Sequence, residues 1–391
     1  MDKGRTQNYL LLTLLCVPFI WALSNSMIIP ILPKIQTALD ISPIQAGLII
    51  TALSVPTALC LPITGFLSDR YGRVEVMIPT IILYGLGGFL AGIAGIILSY
   101  PLLLVARVLQ GIGATGTTLL AMSYAGDLFT GNQRTKVLSY LEATNSIGKL
   151  ASPLFGTMVA ALVWYGPFFV YPILSFLIAF ALLTLRLKPK HGGQKQSLTE
   201  YFHALVNVLV RLKRSIPAAL ASTFIAVFIW FGNLFFLSNI MATQFSIDGI
   251  SRGLLLSIPI LTVAITAILT GKYLKTYSLP RLTAFGLGVM GITLALGTLL
   301  PTSFLLYAMV ALVGTGLGVT LPSLNTLIIG AVEQGERGVV TACYGSVRAL
   351  GSAFGPLAFG WMMNYGTVVT LLFASALALL GSALAYFLIN D

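Results

Sequence analysis

Charge is what this sequence has least of. Of its 391 residues only 8% are Asp, Glu, Lys or Arg, where an ordinary soluble domain carries about a quarter. So sparse a supply cannot cover a water-facing surface. Hydrophobic residues make up 57% and the mean hydropathy is +0.95, which places the chain in a bilayer. Cysteine is nearly absent too: Cys16, Cys60 and Cys343 each fall in an apolar stretch and read as small hydrophobes rather than a disulfide framework. His191 and His203 share one polar segment with no ligand spacing around them, so no metal site is expected. There is no glycine-rich phosphate loop ending in Gly-Lys-Ser or Gly-Lys-Thr, which argues against nucleotide-driven chemistry. The apolar runs are continuous rather than alternating, which excludes a membrane β-barrel.

What is present is a series of long apolar runs. A span needs about 20 such residues, and twelve runs qualify: 9–33, 43–67, 77–98, 101–125, 136–163, 166–186, 215–240, 251–275, 281–300, 303–329, 338–362 and 367–388. The cations sort between the connections. With both termini cytoplasmic, seventeen of the 22 Lys and Arg lie on the cytoplasmic side and only Lys34 and Arg252 on the other. That asymmetry is the positive-inside rule. The excess of basic residues therefore records topology and calls for no nucleic-acid partner. Lys3 and Arg5 before the first run resemble the start of a signal peptide, but no small-residue cleavage site follows, and the run continues through Pro30 and Pro33.

One long polar connection divides the chain. Its basic residues, its Gly192-Gly193 pair and the helical spacing from Leu198 to Leu212 predict a cytoplasmic linker with an amphipathic helix on the membrane face. The expected organisation is a six-helix bundle over 1–186, the linker over 187–214 and a second six-helix bundle over 215–391. The halves echo each other weakly. Gly65 answers Gly271, Gly111 and Gly113 answer Gly316 and Gly318, and Pro153 answers Pro356, at offsets between 203 and 206. Parallel duplication of this kind is a transporter architecture.

Three motifs carry more. GFLSDRYGR, from Gly65 to Arg73, joins the second and third spans. Gly65 permits close helix approach and Gly72 a tight turn, while Asp69 is placed to pair with Arg73 and to accept from a neighbouring helix N-terminus. The fourth span contains Arg107, Gln110 and Gly111. The fifth reads Gly148-Lys149-Leu150-Ala151-Ser152-Pro153-Leu154-Phe155-Gly156, with small residues every four positions that form a packing seam. In these motifs, and in the proline pair Pro30 and Pro33, the sequence resembles the major facilitator superfamily and its twelve-span drug/proton antiporter branch. The resemblance covers nearly the whole chain. It implies an all-α membrane protein of twelve transmembrane helices in two six-helix bundles, a cytoplasmic latch at Gly65, Asp69, Arg70, Gly72 and Arg73, and a proton-coupling role for Arg107. A structural Arg107, bonded to Ser24, Asn25 or Ser26, is the competing reading. The fifth span departs from the antiporter pattern, with Ser152 and Thr157 where that pattern has glycines.

Four charges fall inside spans: Arg107, Glu142, Lys149 and Arg348. Charge in hydrocarbon is expensive, so each is expected to face a cavity or a partner. Glu142 and Lys149, seven residues apart, share a helix face, and Glu142 also lies within reach of basic residues at its own end. Trp21, Asn25 and Asn233 are further expected cavity contacts. Gly111, Gly148, Ser152, Pro153, Gly156, Gly355 and Pro356 are expected helix-packing positions. Three cations against one carboxylate favour a neutral, zwitterionic or anionic small molecule. The expectation is thus a monomeric inner-membrane secondary transporter, without cofactor, exporting amphipathic small molecules by proton-coupled antiport. An exporter or flippase of an endogenous anionic amphiphile, a lipid or siderophore-like metabolite, is the alternative. A membrane-embedded enzyme is disfavoured because no nucleophile–base pair can be assembled.

Overall fold

The computed structural model describes residues 3–185, 214–274, 276–299, 303–332 and 337–389, with His203, Asn207 and Val210 in the connecting segment. Most of the linker, including its expected amphipathic helix, lies outside the described residues. All regular structure within them is helical.

The twelve expected runs each become helical. Span one is Lys3–Ile28, a 3-10 turn at Ile29–Ile31, and Leu32–Leu39; spans two and three are Pro43–Tyr71 and Arg73–Ile96. Span four is Tyr100–Ala114 followed by Thr118–Leu128; spans five and six are Gly131–Leu162 and Gly166–Thr184. Spans seven to twelve are Ser215–Thr243, Gly249–Tyr273, Leu279–Gly297, Ser303–Gly330, Arg337–Met362 and Thr367–Leu388. Among the described residues ten spans are long and apolar enough to cross a membrane by composition alone. The other two, spans five and eleven, have 32 and 26 residues but are less apolar, span five through its charges and span eleven through Arg348 and its many small residues.

Local chemistry sets the breaks. Pro30 and Pro33 lack the N–H that an α-helix needs, so span one passes through its 3-10 turn there. Span two opens on a reciprocal capping box between Ser42 and Gln45. It ends at Gly72, whose φ of +116° lies in the region that glycine tolerates best.

Small residues bring helices together inside each half. A Cβ on Gly111 would enter the backbone of span two at Leu53, and one on Gly113 would enter span three at Tyr84. Gly148 rests on Phe19 and Ala22, and Gly156 on Met27, so the seam of span five packs against span one. Ser152 is buried between them and donates to the Lys149 carbonyl at 2.9 Å. Without a hydrophobic force between helices in lipid, such close backbone contact is the main source of cohesion.

These contacts also correct the repeat register. Gly113 packs on span three, and its counterpart in contact is Gly316, which packs on span nine at Gly286 and Met290. Gly111, on span two, is answered by Gly314, on span eight at Pro259 and Thr262. Both pairs are 203 apart, the separation of Pro153 and Pro356. The sequence pairing of Gly111 with Gly316 is two residues out of register, because several glycines at two-residue spacing fit either pairing.

The halves meet at the side opposite the termini, the distal side. Thr51 of span two donates to the Ala353 carbonyl of span eleven at 2.6 Å, and Gly47 and Gly360 bring the two helices together further toward the distal end. Gly253 of span eight seats against Pro153, Leu154 and Thr157 of span five. The broken part of span one completes the seal. Ser238 donates to the Ile29 carbonyl at 3.0 Å, Arg252 to the Pro30 carbonyl at 3.1 Å, and Gln36 to Asn239 at 3.1 Å.

Candidate functional site

The face of each helix around the seam follows from its neighbours. On span five, Gly148, Ser152 and Gly156 point to span one, Pro153 and Thr157 to span eight, and the exposed Ile147, Phe155 and Met158 outward. Advancing 100° per residue, the arc between spans one and eight holds Glu142, Asn145 and Lys149. On span eleven, Gly351 and Gly355 rest on span seven, Gly345 and Pro356 lie toward span two, and Phe354 and Trp361 are exposed on the outer face. The arc between spans seven and two holds Arg348 and Ser352. The two arcs face each other across the seam.

The charges on them interact. Lys149 feels both Arg348 and Glu142, and Tyr344 feels the same Arg348 and Glu142. The Arg348 guanidinium lies 5.6 Å from the centre of the Tyr344 ring, a favourable cation–π distance. Glu142 is exposed, whereas Lys149 and Arg348 are half-buried. Asn145 Nδ2 donates to Glu142 Oε1 at 3.4 Å, and Asn145 Oδ1 is buried without a partner. Neither Lys149 nor Arg348 forms an ion pair with a described residue. Solvent therefore reaches a polar cleft between the halves that is closed distally.

Arg107 belongs elsewhere. It is fully buried inside the first half, donating to the Ile49 carbonyl at 3.2 Å, Gln110 Oε1 at 2.7 Å and Asn25 Oδ1 at 3.0 Å. Asn25 passes the network on to Ser54 at 2.9 Å. Neutral acceptors replace a carboxylate partner, and spans one, two and four are tied together by one side chain. At the corresponding positions of the second half stand Val310 and Val313, both buried. Of the two readings of Arg107, the bonding geometry fits the structural one, and Asn25, expected at the cavity, belongs to the same buried network. Asn233 is corrected too. It is fully buried with neither amide atom bonded, on the side of span seven turned toward spans ten and twelve. Trp21 is half-buried against the core.

At the termini side, Arg73 collects three acceptors. It meets Asp69 Oδ1 at 2.5 Å, Ser68 Oγ at 2.6 Å and Asp127 Oδ2 of span four at 3.5 Å. Ser68 in turn donates to the Gly65 carbonyl at 2.7 Å, and Arg70 is exposed beside Tyr71. The expected bond from a neighbouring helix N-terminus to Asp69 is not made among the described residues. The loop instead ties span two to span four, while Phe66 packs on Val339 of span eleven.

Sequence reasoning did not single out Arg252, Tyr344 or Asn145. Arg252 had a signal, being one of only two cations on its side of the membrane. Tyr344 is one turn before Arg348, but an aromatic residue in an apolar span is ordinary.

The fold defines a polytopic membrane protein of two helical halves whose charged arcs on spans five and eleven face each other across the seam. The family model described as Major Facilitator Superfamily matches residues 14–236 and again 219–391, and the chain belongs to that superfamily. The Bacillibactin exporter of Bacillus subtilis (strain 168) is 30% identical over 387 residues, 97% of this chain and 96% of that one. Multidrug resistance protein 1 of the same organism is 25% identical over 399 residues, covering 98% and 96%. The crystal structure of a D-xylose-proton symporter superposes with a TM-score of 0.79 at 14% identity, covering 98% of both chains. This protein is a transporter rather than an enzyme.

Proposed function

We propose that this transporter exports amphipathic small molecules by alternating access. In this reading residues 1–186 and 215–391 rock about the seam, the 187–214 segment links them on the cytoplasmic side, and both termini are cytoplasmic in an inner membrane. The observation that carries it is the pair of charged arcs on spans five and eleven, reachable by solvent beneath a sealed distal side. Such a cleft loads from the cytoplasm and discharges when the distal contacts part. Glu142 is the one carboxylate on those arcs. It supports proton antiport for cargo whose donor groups compete with a proton for its oxygens. The similarity to exporters, including a multidrug resistance protein, supports the outward direction.

A second reading, export of an endogenous anionic, siderophore-like amphiphile, is favoured by the excess of cations on the arcs and by the similarity to the Bacillibactin exporter. Inverted membrane vesicles separate these readings. Uptake of an amphipathic dye driven by an imposed pH gradient and lost in Glu142→Gln supports antiport. Uptake driven only by the electrical potential supports the anionic reading. If no compound in a panel of cationic, neutral and anionic amphiphiles moves, the export reading is wrong.

A further inference from the structure

Two half-buried cations, one from each half of the molecule, face the same cleft, and no carboxylate among the described residues is bound to either. Lys149 is thirteen residues from the distal end of span five, and Arg348 fourteen from the distal end of span eleven. At 1.5 Å per residue both stand roughly 20 Å from the distal side, so they share a depth. Their helices run in the same direction, and helical side chains lean toward the N-terminus, so both reach toward the termini side. Arg348 is backed by the Tyr344 ring, a favourable cation–π neighbour. Asn145, on the arc of Lys149, has a buried amide oxygen with no partner. Glu142 lies two turns nearer the termini side, exposed and bonded to Asn145. It tempers the Lys149 charge without pairing with it.

Like charges in a cleft of reduced dielectric repel more strongly than in water. When the two halves rock together at the termini side, Lys149 and Arg348 approach each other across the seam. An anionic oxygen pair placed there meets a point charge on one side and a planar two-donor fork on the other. We propose that Lys149 and Arg348 form a single anion clamp spanning the two halves, that the cargo head group is a carboxylate or a similar two-oxygen anion, and that its binding is what allows the cleft to close. The inference rests on the export reading and adds to it the head-group chemistry and the trigger for closure. The apolar part of the cargo extends along the neighbouring arc of span seven, where Phe224 and Phe231 are partly exposed.

Purified full-length protein in nanodiscs tests this with naphthoate and its neutral counterpart naphthamide. Naphthoate is expected to bind more tightly than naphthamide, and Lys149→Gln or Arg348→Gln to weaken naphthoate on the order of ten- to a hundredfold while leaving naphthamide unchanged. Lys149→Arg is expected to restore most of the loss. Spin labels at Tyr140 of span five and Gly271 of span eight report closure: naphthoate shortens their separation in the parent protein but not in either Gln variant. Equal binding of the two probes, or closure with naphthoate in the absence of Arg348, overturns the clamp. Naphthamide binding and vesicle transport that persist in that event leave the export reading standing. Failure of transport with intact naphthoate binding overturns export and not the clamp.

Discussion

A single methyl-bearing residue at Gly253 should change which side of this transporter is open. Gly253 sits where span eight meets span five at the distal side. A Cβ there would stand 2.7 Å from the Pro153 carbonyl oxygen and 3.0 Å from Leu154 Cα, well inside ordinary contact of about 3.5–4.0 Å. Both obstacles are backbone and cannot rotate away, and valine adds two further methyl groups. Forcing such bulk into a packed site costs about 1–3 kcal/mol. Here the cost falls on the distal-closed state alone, because the contact is lost when the halves part distally. The equilibrium should therefore move about 5- to 150-fold toward the distal-open state. The assay uses a background with Cys16, Cys60 and Cys343 replaced and cysteines at Gln36 and Asn239, which hydrogen-bond across the halves at 3.1 Å. Gly253→Val should lower the yield of the 36–239 disulfide and raise labelling of both positions by a membrane-impermeant maleimide. Gly271→Val is the matched control, since a Cβ there meets nothing within 4 Å. Undiminished cross-linking in a well-folded Gly253→Val protein would refute the argument that this contact holds the distal side shut.

Removing Arg252, whose guanidinium bonds the Pro30 carbonyl of the other half, should shift the same cross-link in the same direction. Arg252→Lys should recover little of it, because one ammonium cannot also satisfy Ile247 and Asp248. Arg107→Lys should lower the melting temperature in detergent rather than alter ion dependence alone. Lysine cannot serve three separated acceptors, and each buried one left bare costs about 1–3 kcal/mol; an unchanged melting curve would contradict the structural role. Gly72→Ala should destabilise by about 1–3 kcal/mol, as alanine tolerates φ of +116° poorly and its Cβ would enter the Glu75 carboxylate. If the cargo leaves as a monoanion, an interior-negative potential should drive it outward at about 2.3 kcal/mol per 100 mV. Naphthoate efflux from vesicles with an imposed potassium diffusion potential measures this, and indifference to the potential would count against an anionic cargo.

The places where helices begin and end were legible in the sequence. Each span start or end given by an apolar run lies within a few residues of a helix boundary, apart from span one, which continues to Leu39. Even the polar spans five and eleven could be recognised, because their charges are spaced between apolar residues. Which way a charge points was not legible. Arg107 and Lys149 look alike as text, each a cation flanked by small and apolar residues. In the fold Arg107 is enclosed by Asn25, Gln110 and Ile49, whereas Lys149 lies half-buried on the arc turned toward span eleven. Asn25 and Asn233 suffered the same ambiguity. So did the repeat register, where glycines two apart fit either pairing until their packing partners were seen.

The sequence by itself determined the solvent and the order of the apolar spans. Bilayer thickness and the cost of exposed backbone act on each segment separately, so local hydropathy is enough to read them. Only the tertiary structure decided which four of the intramembrane polar groups meet. A side chain's role depends on its angle between two neighbouring helices, and those neighbours come from distant parts of the chain. The scarcity of charge identified the membrane; the packing around Glu142, Asn145, Lys149 and Arg348 turned the remainder into a site.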